Sequence, residues 1–181
     1  MKKTTLIGLL FVIFLLNGCA DTPPSTQENS ESETVSSTQI CDIFTDETIN
    51  ELIGSPFRTE PMEELDSRTG GCKFINTEDE AINARNFNII ARITEDEPTA
   101  MSEYTRATSV WRNGNMSQKK TSDIENTGTE AFWAYGSETT QLITYENEAL
   151  VILTLGHLHD DEAILLEKSK TAALQTLNSL Q

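Results

Sequence analysis

Two histidines and three cysteines are the side chains in this 181-residue chain with most scope for chemistry. The histidines lie close together in Gly156-His157-Leu158-His159-Asp160-Asp161. In an extended segment, alternate side chains point the same way. His157 and His159, with the Asp160 carboxylate, then form a candidate zinc or copper site. The competing reading is a strand-to-helix loop in which Asp160 caps the following helix. A third histidine to complete a His₃ site does not exist. A serine nucleophile would have to use one of the same two imidazoles as its base, and no Gly-x-Ser-x-Gly elbow occurs. Phosphate-cradling and dinucleotide glycine patterns are also absent.

Carboxylates offer a second chemistry. Thr77-Glu78-Asp79-Glu80 recurs as Thr94-Glu95-Asp96-Glu97. Such clusters can bind calcium through oxygen, but neither copy has the alternating acids and central glycine of an EF-hand loop. They read as solvated turns. No spacing singles out an acid pair for glycoside cleavage. Trp111, Trp133, Tyr135 and Tyr145 either line a ligand groove or pack in a sheet core. No convergent reactive set emerges, so no catalytic residue and no cofactor is expected.

The cysteines are better defined. Cys19 follows Lys2, Lys3 and an uncharged, mostly apolar run from Leu6 to Leu16. A membrane-crossing helix needs about 20 apolar residues, so this run is too short. A basic start, an apolar stretch and small residues make a secretory signal. Leu16-Asn17-Gly18-Cys19 resembles the bacterial lipobox, whose cysteine is acylated with palmitate-type chains before the signal is removed. Residues 1–18 are then a lipoprotein signal peptide and Cys19 the lipid attachment site, on a cell membrane or outer membrane. Each buried methylene contributes roughly 0.8 kcal/mol, so two or three acyl chains hold the body stably. Cys41 and Cys72 remain, in an oxidising compartment, and are expected to form a disulfide. Their spacing closes a loop worth roughly 3.5 kcal/mol in the chain-entropy account.

Charge narrows the partners. The whole chain carries −16; without residues 1–18, which hold Lys2 and Lys3 and no acid, it carries −18. That repels nucleic acid and anionic headgroups, so lipid and not electrostatics must hold the membrane. Residues 19–40 are the lipidated cysteine and a Ser-, Thr- and Pro-rich acidic stretch, expected to be a disordered tether with an end-to-end distance of roughly 25 Å. Residues 41–181 suffice for one domain with a real core.

Within that domain the periodicity predicts alternating elements. Thr45 caps a helix with the Ile49, Leu52, Ile53 face, and Phe44 with Ile49 makes a hydrophobic staple. Gly71 to Ile75 and Phe87 to Ile93 read as strands, Pro98 to Ala107 as a helix. Ala131 to Tyr135, Gln141 to Tyr145 and Ala149 to Leu155 read as three more strands, the last two a hairpin. A final helix runs from an Asp160 cap to about Ser179, with Leu166, Ala173, Leu177 and Leu180 inward. Residues 112–130 give no clear signal. The order implies an α+β two-layer sandwich, a mainly antiparallel sheet with its helices on one face.

Ile40-Cys41-Asp42-Ile43-Phe44-Thr45, Leu52-Ile53-Gly54 and Gly71-Cys72-Lys73-Phe74 together resemble one group of small bacterial lipoproteins, best known from actinobacteria, that carry a domain of unknown function. Gly128-Thr129-Glu130-Ala131, the hairpin and the final helix extend the likeness over residues 40–180. The group implies the same fold and the same disulfide, and brings no activity. The sequence therefore points to a membrane-anchored, non-enzymatic binding or accessory domain. Its partner would be an envelope protein or a small ligand. A metal-binding or metal-delivery lipoprotein using His157 and His159 is the alternative.

Overall fold

The computed structural model describes residues 34–63, 66–80, 83–114, 120–136, 138–158 and 160–181. Cys19, the signal segment and most of the tether lie outside the described residues, as does His159. The elements run α1 (Ser37–Cys41), α2 (Asp46–Ile53), β1 (Phe57–Pro61), β2 (Thr69–Asn76), β3 (Asn86–Ile93), α3 (Glu97–Arg112), β4 (Lys120–Ile124), β5 (Glu130–Tyr135), β6 (Thr139–Glu146), β7 (Ala149–Gly156) and α4 (Glu162–Ser179).

Local chemistry accounts for the helix starts. The Thr45 hydroxyl accepts the Thr48 amide at 3.3 Å, and Asp46 and Glu47 occupy the first turn of α2, where the helix end is positive. Phe44 and Ile49 are both buried, as a staple requires. Asp96 caps α3 by accepting the Thr99 amide at 2.9 Å, with Pro98 in the first turn, where its missing amide costs nothing.

The seven strands form one sheet in the order β1-β2-β3-β7-β6-β5-β4, every pair antiparallel. Chain folding therefore brings the third and last strands together at its centre. Phe87, Ile89, Ala91 and Ile93 of β3 face one way, with Cys72 and Phe74 of β2, Val151, Leu153 and Leu155 of β7 and Trp133 of β5. Helices α1, α2 and α4 cover that face. Phe44 sets its ring edge-on against Phe74 and Phe87, at centroid distances of 6.1 and 5.4 Å. Leu165, Ala172, Ala173 and Leu177 of α4 complete the layer. Cys41, the last residue of α1, is disulfide-bonded to Cys72 in β2.

The mixed α+β class and the antiparallel sheet hold, but the helices do not share one face. Ala100, Tyr104 and Trp111 of α3 pack on Phe132, Ala134, Ile143, Tyr145 and Leu150, which alternate with the residues beneath α4. β5, β6 and β7 carry apolar residues on both faces, so each face needs a cover. The two-layer arrangement is thus corrected to three layers over this half of the sheet.

Three smaller differences concern boundaries. The packed body begins before residue 41: Val35 and Ile40 are buried, because α1 lies against β2. The helix cap expected at Asp160 falls at Asp161, which makes no side-chain capping bond. Two edge strands, β1 and β4, escaped the periodicity analysis. Both lie at the sheet margins, and β1 carries Arg58, Glu60 and Pro61, residue types that belong on edges.

Candidate binding groove on the open half of the sheet

The face under α3 is divided. Over β5–β7 it is closed by the Ala100, Tyr104 and Trp111 contacts, with the Tyr104 and Tyr145 rings 5.3 Å apart. Burial pushes both phenols above their ordinary pKa. Over β1–β3 the same face presents Arg58 and Glu60 from β1, Gly71, Lys73 and Ile75 from β2, and Asn86, Asn88 and Ile90 from β3. The strand register places these on one side. Arg58 and Glu60 are exposed, and Lys73, Asn86, Asn88 and Ile90 are half-buried.

A polar row crosses the sheet from the covered half into the open half. Trp111 Nε1 donates to Gln141 Oε1 at 3.0 Å, and Gln141 Nε2 donates to Thr154 Oγ1 at 3.1 Å. Thr154 is paired with Asn88, and Asn88 with Lys73. Asn88 Nδ2 donates to Asn86 Oδ1 at 2.9 Å, and Asn86 Nδ2 to the Ala84 carbonyl at 2.9 Å. Asn88 Oδ1 is shielded from solvent yet accepts no hydrogen bond among the described residues. An acceptor left so costs free energy unless a donor reaches it.

At the end of this row lies a cavity of about 310 Å³ lined by Arg58, Lys73, Ile75, Asp79, Asn86 and His157. Its charges are unequal. Asp79 is held by Arg85, whose Nε lies 2.8 Å from Oδ2 and whose amide donates to the same oxygen at 2.9 Å. Those bonds hold the Asp79 carboxyl below its ordinary pKa. Arg58 pairs with Glu60 at 2.9 Å, with both side chains largely in water. Lys73 makes no ion pair among the described residues, Glu60 lies opposite it in register, and the cavity lining itself sets Arg58 and Lys73 against the single carboxylate of Asp79.

Further along the same face, Met62, Gly71 and Ile90, with Glu63 beside them, line a mainly apolar cavity of about 200 Å³. The Met62 side chain lies close over Gly71: a Cβ there would sit 2.6 Å from Met62 Sδ. Two hollows of opposite character thus share one uncovered strip of sheet.

The residues singled out by sequence are distributed differently. His157 lines the polar cavity and adopts φ +55°, a left-handed conformation uncommon outside glycine. Its amide donates to the Glu138 carbonyl at 2.8 Å. Asp160 accepts Lys168 Nζ at 2.7 Å. No group of three metal-ligating side chains occurs among the described residues. Of the paired acidic turns, Asp79 is bound by Arg85 and Asp96 caps α3. Trp111, Trp133 and Tyr145 are core residues, and Tyr135 packs against the core half-buried. Arg58, Lys73 and Asn86 were missed. Arg58 lies on a strand too polar to show a period, and Lys73 inside an apolar run, so no local signal marked them.

No helix among the described residues is long and apolar enough to cross a membrane. No family model matches this sequence, and no curated protein does. Among solved structures, the chain is similar to the extracellular domain of PknH from Mycobacterium tuberculosis. The likeness has a TM-score of 0.52 at 11% identity and covers 82% of this chain and 97% of that one. At that identity the likeness is one of fold alone.

Proposed function

We propose that this chain is an extracytoplasmic lipoprotein, anchored through Cys19, whose folded body binds a small ligand on the open half of its sheet without converting it. The observation that carries the binding role is the polar cavity at Lys73, which makes no ion pair among the described residues, on a sheet face that α3 covers only in part. The Cys41–Cys72 bond suits an oxidising compartment. A fold shared with a domain described as extracellular supports the same location.

Two measurements test this. Metabolic labelling with an alkyne fatty acid should mark the wild type and not Cys19→Ser; equal labelling of both would remove the anchor. Native mass spectrometry of the full chain recovered from envelopes should show a bound small molecule that Lys73→Gln lacks. If that molecule turns over on incubation with the protein, the non-enzymatic reading fails.

A second reading, metal binding or delivery, rests on His157 standing at the cavity, close in sequence to His159 and Asp160. Calorimetric titration with zinc and copper tests it against a His157→Asn control.

A further inference from the structure

We infer that the open strip of sheet is a single groove for a small amphiphile with one anionic head and a short apolar tail. The inference rests on the binding reading above and names the ligand class. The head belongs at the cavity of Arg58, Lys73, Asn86 and His157, the tail over Met62, Gly71 and Ile90.

Two observations converge. The first is charge: in a protein of −16 the lining of this concave site sets Arg58 and Lys73 against one carboxylate, Asp79, which Arg85 already holds. An anion completes that balance, and a second cation does not. The second is polarity along the strand. Lys73 and Gly71 are two residues apart on one face of β2, which is about 7 Å. Ile75 to Gly71 is about 14 Å. A head held at Lys73 thus leaves its tail over the second cavity within about six to eight carbons.

A carboxylate and a phosphate monoester share this chemistry, and the experiment separates them. The full chain, in lipid nanodiscs, is heated while tryptophan fluorescence is followed, with octanoate, octyl phosphate, octanol, octylammonium or acetate added. Preferential binding to the folded state raises the midpoint. Octanoate or octyl phosphate should raise it, the larger response identifying the head. Octanol, which reports partition into the lipid, and acetate should not. Lys73→Gln and Arg58→Gln should each weaken the response about tenfold in ligand concentration, the loss expected for one charge-assisted bond. Met62→Glu should abolish the advantage of the octyl chain over acetate. Each variant is compared with its own midpoint without ligand, and Arg58 is exposed enough to be replaced should Lys73→Gln not fold. An octylammonium response equal to octanoate, an acetate response equal to octanoate, or indifference to both cation substitutions would overturn the inference. A cationic or sugar ligand recovered from envelopes, lost in Lys73→Gln, would overturn it while leaving the binding role intact.

Discussion

The Asn86 carboxamide lies directly over Gly156 where β3 pairs with β7; a Cβ built on Gly156 would fall 2.5 Å from Asn86 Nδ2. Asn86 is fixed there by its bonds to Ala84 and Asn88. Gly156→Ala must push this amide aside and disturb the wall of the polar cavity. Overpacking of this kind costs about 1–3 kcal/mol. Urea unfolding should show that loss, and the double variant Gly156→Ala/Asn86→Ala should recover part of it. Independent, additive costs would mean that the two side chains do not compete for space.

The Cys41–Cys72 bond ties α1 to the second strand from the edge, across 31 residues of sequence. Replacing both cysteines with alanine should lower unfolding free energy by about 3.5 kcal/mol. The loss should centre on residues 34–45, so hydrogen exchange there should accelerate before that in β7. Intact mass with and without reductant checks the bond itself. Two free thiols in protein exported to an oxidising compartment would refute it.

The sequence carried the central elements well, because their signals are local. Thr45, Phe44 and Ile49 announce a helix start by residue type alone. Phe87, Ile89, Ala91 and Ile93 announce a half-buried strand by period. What it did not carry is which face each helix takes. Ala100, Tyr104 and Trp111 look like any amphipathic stripe; only the chain path after β3 sends them to the face opposite α4. The groove was illegible for a related reason. It forms from Arg58 on a strand too polar to be recognised, Lys73 inside an apolar run, and Asn86 at a strand start. Their meeting depends on register across three strands and on where α3 stops covering the sheet. His157 was noticed for its imidazole, whereas its backbone conformation is visible only in three dimensions.

Acid sensitivity should follow the bound carboxylates. Asp79 is lowered chiefly by its bond from the Arg85 side chain, Asp66 by the Thr69 hydroxyl, and Asp96 by Thr99, all relative to 3.8. Each folded-state pKa lies below the unfolded one, so the unfolded chain binds protons first. The stabilisation is fully present above roughly pH 5 and is lost as pH falls through the lowered values. Urea midpoints should be level from about pH 6 to 8 and fall steeply below about pH 4. Asp79→Asn should flatten part of that acid limb, with a smaller slope between stability and pH. An unchanged slope would show that the Arg85 pair contributes nothing to it.

His157 sits at φ +55°, where a Cβ crowds its own carbonyl and costs about 1–2 kcal/mol unless the residue is glycine. Asparagine tolerates the conformation better than other side chains. Three substitutions therefore separate backbone from imidazole. His157→Gly and His157→Asn should leave stability equal to or above the wild type, and His157→Ala should fall no lower than about 1 kcal/mol beneath His157→Gly. Denaturant unfolding of the three variants measures this directly. Should all three lose the same free energy, the cost lies in the lost ring, and His157 holds its place through contacts in the cavity wall. Should only His157→Ala lose it, the ring is free for a ligand, and His157→Asn becomes the proper control for metal titration because it removes the imidazole without bending the β7–α4 connection.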